Sequence, residues 1–180
     1  MKSLIKIETG DVVEKPKHLE IERKWLIDIS KLPQSLDSYP SMRLVAGYYR
    51  GENKEKIRIR QEGNKYFKVI KGPRTDEGMV RDTGLGDIEI TKKEFDVLWP
   101  QTEGKRLSKI RYHIPVDSFI AELDVYDDFK DQGFYTVEVE FPSVDEGKKF
   151  IPPDWFGREV TNEKGYSSRA LASKGLPKSF

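Results

Sequence analysis

The chain has 180 residues and a mass of 20.9 kDa, a size suited to one domain with a real core. Its 32 Lys and Arg nearly cancel its 31 Asp and Glu, which argues against a nucleic-acid binder, and zero cysteines exclude a disulfide framework or a thiolate metal site. With 36% apolar and 35% charged residues, much of the interior surface is expected to be polar. The absence of cysteines suits a reducing compartment, and the cytoplasm is the default expectation. The amino-terminal stretch MKSLIKIETGDVVEKPKH has no apolar run of signal-peptide or membrane-span length, so no membrane partner is expected.

Residues 1–17 lack periodicity and are read as an extension before a single domain over 18–177. Short alternating runs then recur between turn residues, at 18–27, 43–50, 54–61, 65–71, 86–90, 107–114, 119–126 and 135–141. Eight such runs predict an antiparallel sheet closing into a barrel, within a mainly-β, α+β fold. Three short helices flank it. Thr91–Glu94 is a capping box ahead of Phe95 and Leu98, and Ser143–Glu146 is another ahead of Phe150. The third helix covers about 167–174, with Gly175 as C-cap and Pro177 as its stop.

The charges in these strands are sorted by sign. Glu20, Glu22 and Lys24 share one face of the first strand and Leu19, Ile21 and Trp25 the other, a set broken by Arg23. In four further strands each row has a single sign: Lys56, Arg58 and Arg60 alternate with Ile57 and Ile59; Lys109 and Arg111 flank Ile110; Glu122 and Asp124 flank Leu123; Glu138 and Glu140 alternate with Val137, Val139 and Phe141. Successive strand side chains point to opposite faces, so each charged row shares one face. A solvated face is the ordinary reading of one such row. Repeated in five strands, with like charges about 7 Å apart, the rows suggest a ligand that compensates them. Clustered carboxylates suit a hard cation such as Mg²⁺ or Mn²⁺, and clustered Lys and Arg suit phosphate oxygens. If both point inward, the barrel is a polar tunnel whose apolar strand faces turn outward against the helices.

Glu20-Ile-Glu22-Arg-Lys24 resembles the ExExK strand of the CYTH superfamily, the triphosphate tunnel metalloenzymes. The ordered set that follows is similar to that of the bacterial inorganic triphosphatases: Tyr48 in AGYY, the segment Phe95–Gly104, Lys109-Ile-Arg111-Tyr, Glu122-Leu-Asp124-Val, Val137–Phe141, Ile151–Gly157 and Glu159–Tyr166. The resemblance implies an eight-stranded tunnel that hydrolyses a small-molecule triphosphate with Mg²⁺ or Mn²⁺, tripolyphosphate being favoured. It implies Glu20, Glu22, Asp124, Glu138 and Glu140 around the metal. It implies Lys24, Arg58, Arg60, Lys71, Arg81, Lys109, Arg111 and Lys164 around the phosphates, with Lys24, Tyr48 and Lys109 as the catalytic group. Tyr48 matches a family tyrosine near the attacking water, and an ordinary strand aromatic is the equal alternative.

Two departures stand out. Arg81 is separated from Asp87-Ile-Glu89 by Asp82-Thr-Gly-Leu-Gly, where the family has an Arg followed by an E-x-E strand, and Tyr166 is followed by Ser167 instead of the usual Asn. Nucleoside or thiamine triphosphate hydrolysis, class IV adenylate cyclase chemistry and non-catalytic polyphosphate binding remain the alternatives. The number of metals and the oligomeric state, a homodimer included, stay open. Gly84-Leu-Gly86 reads as a turn, and His18 and His113 read as structural. No Walker motif or nucleophile elbow occurs.

Overall fold

A computed structural model describes residues 4–6, 12–14, 18–178 and 180. Within the expected extension, β1 (Leu4–Lys6) and β2 (Val12–Glu14) form a separate two-stranded sheet. The remaining strands are β3 (Leu19–Ile27), β4 (Ser41–Arg50), β5 (Lys56–Glu62), β6 (Lys65–Lys71), β7 (Arg74–Thr75), β8 (Val80–Asp82), β9 (Ile88–Ile90), β10 (Arg106–Val116), β11 (Phe119–Tyr126), β12 (Tyr135–Glu140) and β13 (Phe156–Glu159). They make one antiparallel sheet in the order β7-β8-β3-β12-β11-β10-β4-β5-β6-β9, with β13 beside β3.

Each of the eight expected strands is present, but the sheet does not close into a barrel. Its two edge strands, β7 and β9, have only two and three residues and do not pair with each other, and the turn over 83–87 holds β8 and β9 apart. Near this gap the chain ends of β6 and β8 meet through the Gly72 N–H, which donates to the Asp82 carbonyl at 2.9 Å. A Cβ on Gly72 would lie 2.5 Å from that oxygen, so the approach requires glycine. The result is a deeply curved sheet with an open seam, still a tunnel in outline.

The apolar faces turn outward, as the alternation requires. On β3 and β12, Trp25, Val137 and Val139 are essentially fully buried beneath α2 (Val144–Lys149), and Phe150 and Phe156 pack their rings on Trp25. On β5, Ile57 and Ile59 lie under α1 (Lys92–Leu98), whose Phe95 fills the gap. Thr91 and Glu94 complete the expected capping box, each bonding the other's backbone N–H. Ser143 caps α2 through the Glu146 N–H, while the Glu146 carboxylate returns only to the Ser143 hydroxyl. At one end, α3 (Ser168–Lys174) packs Leu171 beside Tyr126, Phe134 and Tyr166, stopped at Gly175. These outward packings leave the charged rows no place but the inside.

Candidate active site

Inside the curve lies a cavity of about 830 Å³ lined by all the main strands. Its chemistry follows from register. Lys24 on β3 stands directly opposite Glu138 on β12, and Arg111 on β10 stands opposite Asp124 on β11, so each basic residue faces a carboxylate across one ladder step. The Lys24 ammonium lies 3.2 Å from Glu138. The Arg111 guanidinium donates to Asp124 at 2.8 and 2.9 Å, to Glu138 at 3.0 Å and to Glu122. Lys109 donates to Oδ2 of Asp124, an oxygen it shares with Arg111, and the Asp124 side chain has no exposed surface.

Beneath these ions the floor is closed by Tyr126, its hydroxyl 2.8 Å from Thr136 and its ring under the Lys109 ammonium at 5.7 Å. Burial alone would lift the carboxyl of Glu138, yet Lys24, Arg111 and Lys109 outweigh it and hold the group well below the usual range. The same contest keeps Asp124 low, against burial, through Arg111 and Lys109. Burial pulls Lys24 down, but Glu138 carries it above its ordinary value. For Lys109 burial wins, helped by Arg111, and the ammonium falls to about 8. Lys71 falls to about 8 for like reasons, burial and then Arg58, although it donates to Glu20.

At the seam, Arg58 and Arg60 of β5 converge on one carboxylate. Arg58 donates to both oxygens of Asp87 at 2.9 and 3.1 Å, and Arg60 donates to one of them at 3.0 Å. Arg74 of β7 donates to Glu22 and to the Gly78 carbonyl. The acidic mouth gathers Glu20, Glu22, Glu122 and Glu140. Glu140 stands opposite Glu22 in the ladder and has no ion-pair partner among the described residues. Burial and then Glu22, Glu122 and Glu20 raise its pKa. The opposite mouth, under α3, carries Lys56, Lys164, Arg169 and Lys174.

No protein-family model matches the chain. A curated inorganic triphosphatase of Nitrosomonas europaea is 40% identical over 157 residues, which span 85% of this chain and 96% of that protein. The chain belongs to the CYTH triphosphate tunnel family. An inorganic triphosphatase of Acetivibrio thermocellus is 28% identical over 84% of this chain and 92% of its own. A crystal structure of an inorganic triphosphatase superposes with a TM-score of 0.61 at 36% identity, covering 88% of this chain and all of that one. A protein of Pyrococcus horikoshii shares the fold alone, at 13% identity and a TM-score of 0.54 over 72% of this chain and 84% of its own.

Most of the residues expected of a CYTH tunnel meet in this cavity: Glu20, Glu22, Lys24, Tyr48, Arg58, Arg60, Lys71, Arg81, Lys109, Arg111, Glu138, Glu140 and Lys164 all line it. Asp124 does not. It lies under the floor with its oxygens held by Lys109 and Arg111, because β11 places it directly opposite Arg111. Glu122, two residues earlier, reaches the cavity instead. Tyr48 is buried, with Ser168 of α3 as hydrogen-bonding neighbour, and burial raises its pKa. His18 is structural, its Nδ1 3.0 Å from the Thr83 hydroxyl, whereas His113 lines the cavity 4.0 Å from Glu122.

The sequence reading missed Arg74, the place of His113 and the inner face of β4, and it singled out Asp87 without assigning it a partner. Arg74 and Asp87 find partners 52 and 29 residues away, which no local pattern announces. His113 continues the Lys109–Arg111 row by one step, which alternation alone could have shown. Met42, Leu44 and Ala46 give β4 an apolar inner face, the reverse of the other strands.

Proposed function

We propose that this chain hydrolyses inorganic tripolyphosphate to pyrophosphate and phosphate with a divalent cation. The observation that carries this reading is the sorting of one cavity into a carboxylate mouth and a basic floor. Glu140 tests the fit of a metal: its ionisation is disfavoured by burial and then by three neighbouring carboxylates, a frustration that a hard cation bound by oxygen ligands relieves. Glu20, Glu22, Glu138 and Glu140, joined by Glu122, would hold Mg²⁺ or Mn²⁺, and Asp124 serves beneath them by fixing Lys109 and Arg111. The cation would neutralise phosphate oxygens and offer a bound water of lowered pKa.

The chain's own residues supply the rest. Arg111, held on several sides, presents a rigid guanidinium to phosphate oxygens, and Lys24 and Lys109 add charge where it grows as the phosphoanhydride bond breaks. Because these donors are pre-positioned by carboxylates of the opposite strand, little reorganisation accompanies binding. The leaving pyrophosphate then carries its charge toward Lys71 and the β5 arginines. The test is a phosphate-release screen over tripolyphosphate, pyrophosphate, ATP and thiamine triphosphate with Mg²⁺ or Mn²⁺. Tripolyphosphate is expected to turn over fastest, and excess EDTA to abolish release. Full turnover in EDTA, or preference for ATP, would contradict the reading.

A further inference from the structure

Asp87 sits where a phosphate would be expected. Its carboxylate takes three hydrogen bonds from Arg58 and Arg60, yet the Nε atoms of both arginines are buried with no hydrogen-bond partner. Arg81 Nε, also lining the cavity, is a third such donor. Buried donors without acceptors are costly, and the two oxygens of Asp87 leave the Nε atoms of Arg58 and Arg60 unserved. A phosphoryl group brings three oxygens and more charge.

Release of Asp87 requires no unfolding. The backbone before it is pinned: the Thr83 N–H donates to the His18 carbonyl at 2.9 Å, and the His18 N–H donates to the Gly84 carbonyl at 2.9 Å. Gly86, at φ +75°, makes the turn that aims Asp87 at the arginines, and β9 begins at the next residue. Rotation of the Asp87 side chain, which is 28% exposed, therefore suffices to vacate the clamp.

We propose that Asp87 is a built-in competitor for the Arg58–Arg60 clamp, displaced by an incoming phosphate group, and that it sets the affinity of the tunnel for its substrate. The inference deepens the triphosphatase reading and rests on it for the identity of the substrate. Without ligand the carboxylate keeps two adjacent guanidinium groups compatible. With ligand it swings toward solvent at the seam, and the arginines exchange one acceptor for a stronger one. The alternative is a fixed strut that orients both arginines for phosphate and never leaves.

Asp87→Asn separates the two, because it keeps shape and removes charge. Competition predicts that KM for tripolyphosphate with Mg²⁺ falls roughly tenfold, the size of one charge-assisted contact. The ligand-free protein should melt earlier, and the rise in melting temperature on adding pyrophosphate with Mg²⁺ should exceed that of the wild type. A strut predicts a higher KM and a smaller rise. A KM equal to or above the wild-type value, with an unchanged ligand-induced rise, would overturn the proposal. Asp87→Ser repeats the test should the asparagine variant fold poorly. If the wild type releases no phosphate from tripolyphosphate, the substrate reading fails, while the melting comparison with pyrophosphate still decides the role of Asp87.

Discussion

The two faces of β3 and β12 are built from the same residues in alternation, yet they obey opposite rules. Outward, Trp25, Val137 and Val139 pack against Phe150 and Phe156 with scarcely any exposed surface. Inward, Lys24 and Glu138 compensate each other across the ladder, whereas Glu22 faces Glu140 and takes its counter-charge from Arg74. The outer face stabilises the fold by burial of apolar area. The inner face contributes little net stability, since desolvation offsets ion pairing, and its arrangement makes sense only with a ligand. Scaffold and site are thus one residue apart along the same strand, and substitutions on the two faces should separate stability from activity.

The largest effect is expected outside. Trp25→Ala removes a fully buried indole that packs on Phe150 and Phe156 and lies under the Arg23 guanidinium, and should cost about 3–5 kcal/mol in a denaturant melt. At a temperature where it is folded, its kcat/KM for tripolyphosphate should remain near wild type. Lost activity in fully folded protein would show that the outer face shapes the site as well as supporting it.

A smaller pair of effects sharpens the comparison inside. Removing either of two crowded arginines in an empty tunnel would be expected to relieve repulsion, but the structure makes Arg58 and Arg60 unequal. Arg60 is pushed down by burial and then by Arg58, whereas burial of Arg58 is outweighed by Asp87 together with Tyr48 and Glu20, so that it rises. Arg60→Ala should therefore melt at or above wild type and Arg58→Ala below it, each by roughly 1 kcal/mol. Both should weaken tripolyphosphate by about 1.5–3 kcal/mol of binding. Equal melting temperatures and unchanged KM values would place both side chains outside the site.

The smallest effect is one of pH. Burial, aided by Arg58 for Lys71 and by Arg111 for Lys109, lowers both ammonium groups to about 8. Each attracts phosphate only while protonated, so KM for tripolyphosphate should be constant below about pH 7 and climb as pH passes 8. A KM profile flat to pH 9.5 would mean that substrate does not meet these lysines.

How much of this was legible beforehand follows the same division. Alternation between turn residues located the eight expected strands, seven of them long, and the charged rows on five of them gave the inward face, because a period of two is a local property. The seam was not legible: β7 and β8 are two and three residues long, too short to show a period, and the turn over 83–87 leaves β8 and β9 apart. Nor was the depth of Asp124. Alternation puts Glu122 and Asp124 on one face, and only the register against Lys109 and Arg111 sends one to the cavity and the other beneath it. The pairing of Asp87 with β5 was hidden for a similar reason, since partners 29 residues apart are set by topology.

Glu140→Gln tests most directly the claim that the inner carboxylates exist for a cation. In the folded protein the pKa of Glu140 is raised, so its ionised form is disfavoured relative to the unfolded chain, and above that pKa its charge subtracts stability. The amide removes this penalty with almost no change in volume. Without metal the variant should melt at or above wild type, while the Mg²⁺ concentration for half-maximal phosphate release from tripolyphosphate rises at least tenfold. A variant with the wild-type Mg²⁺ midpoint and rate would contradict the account.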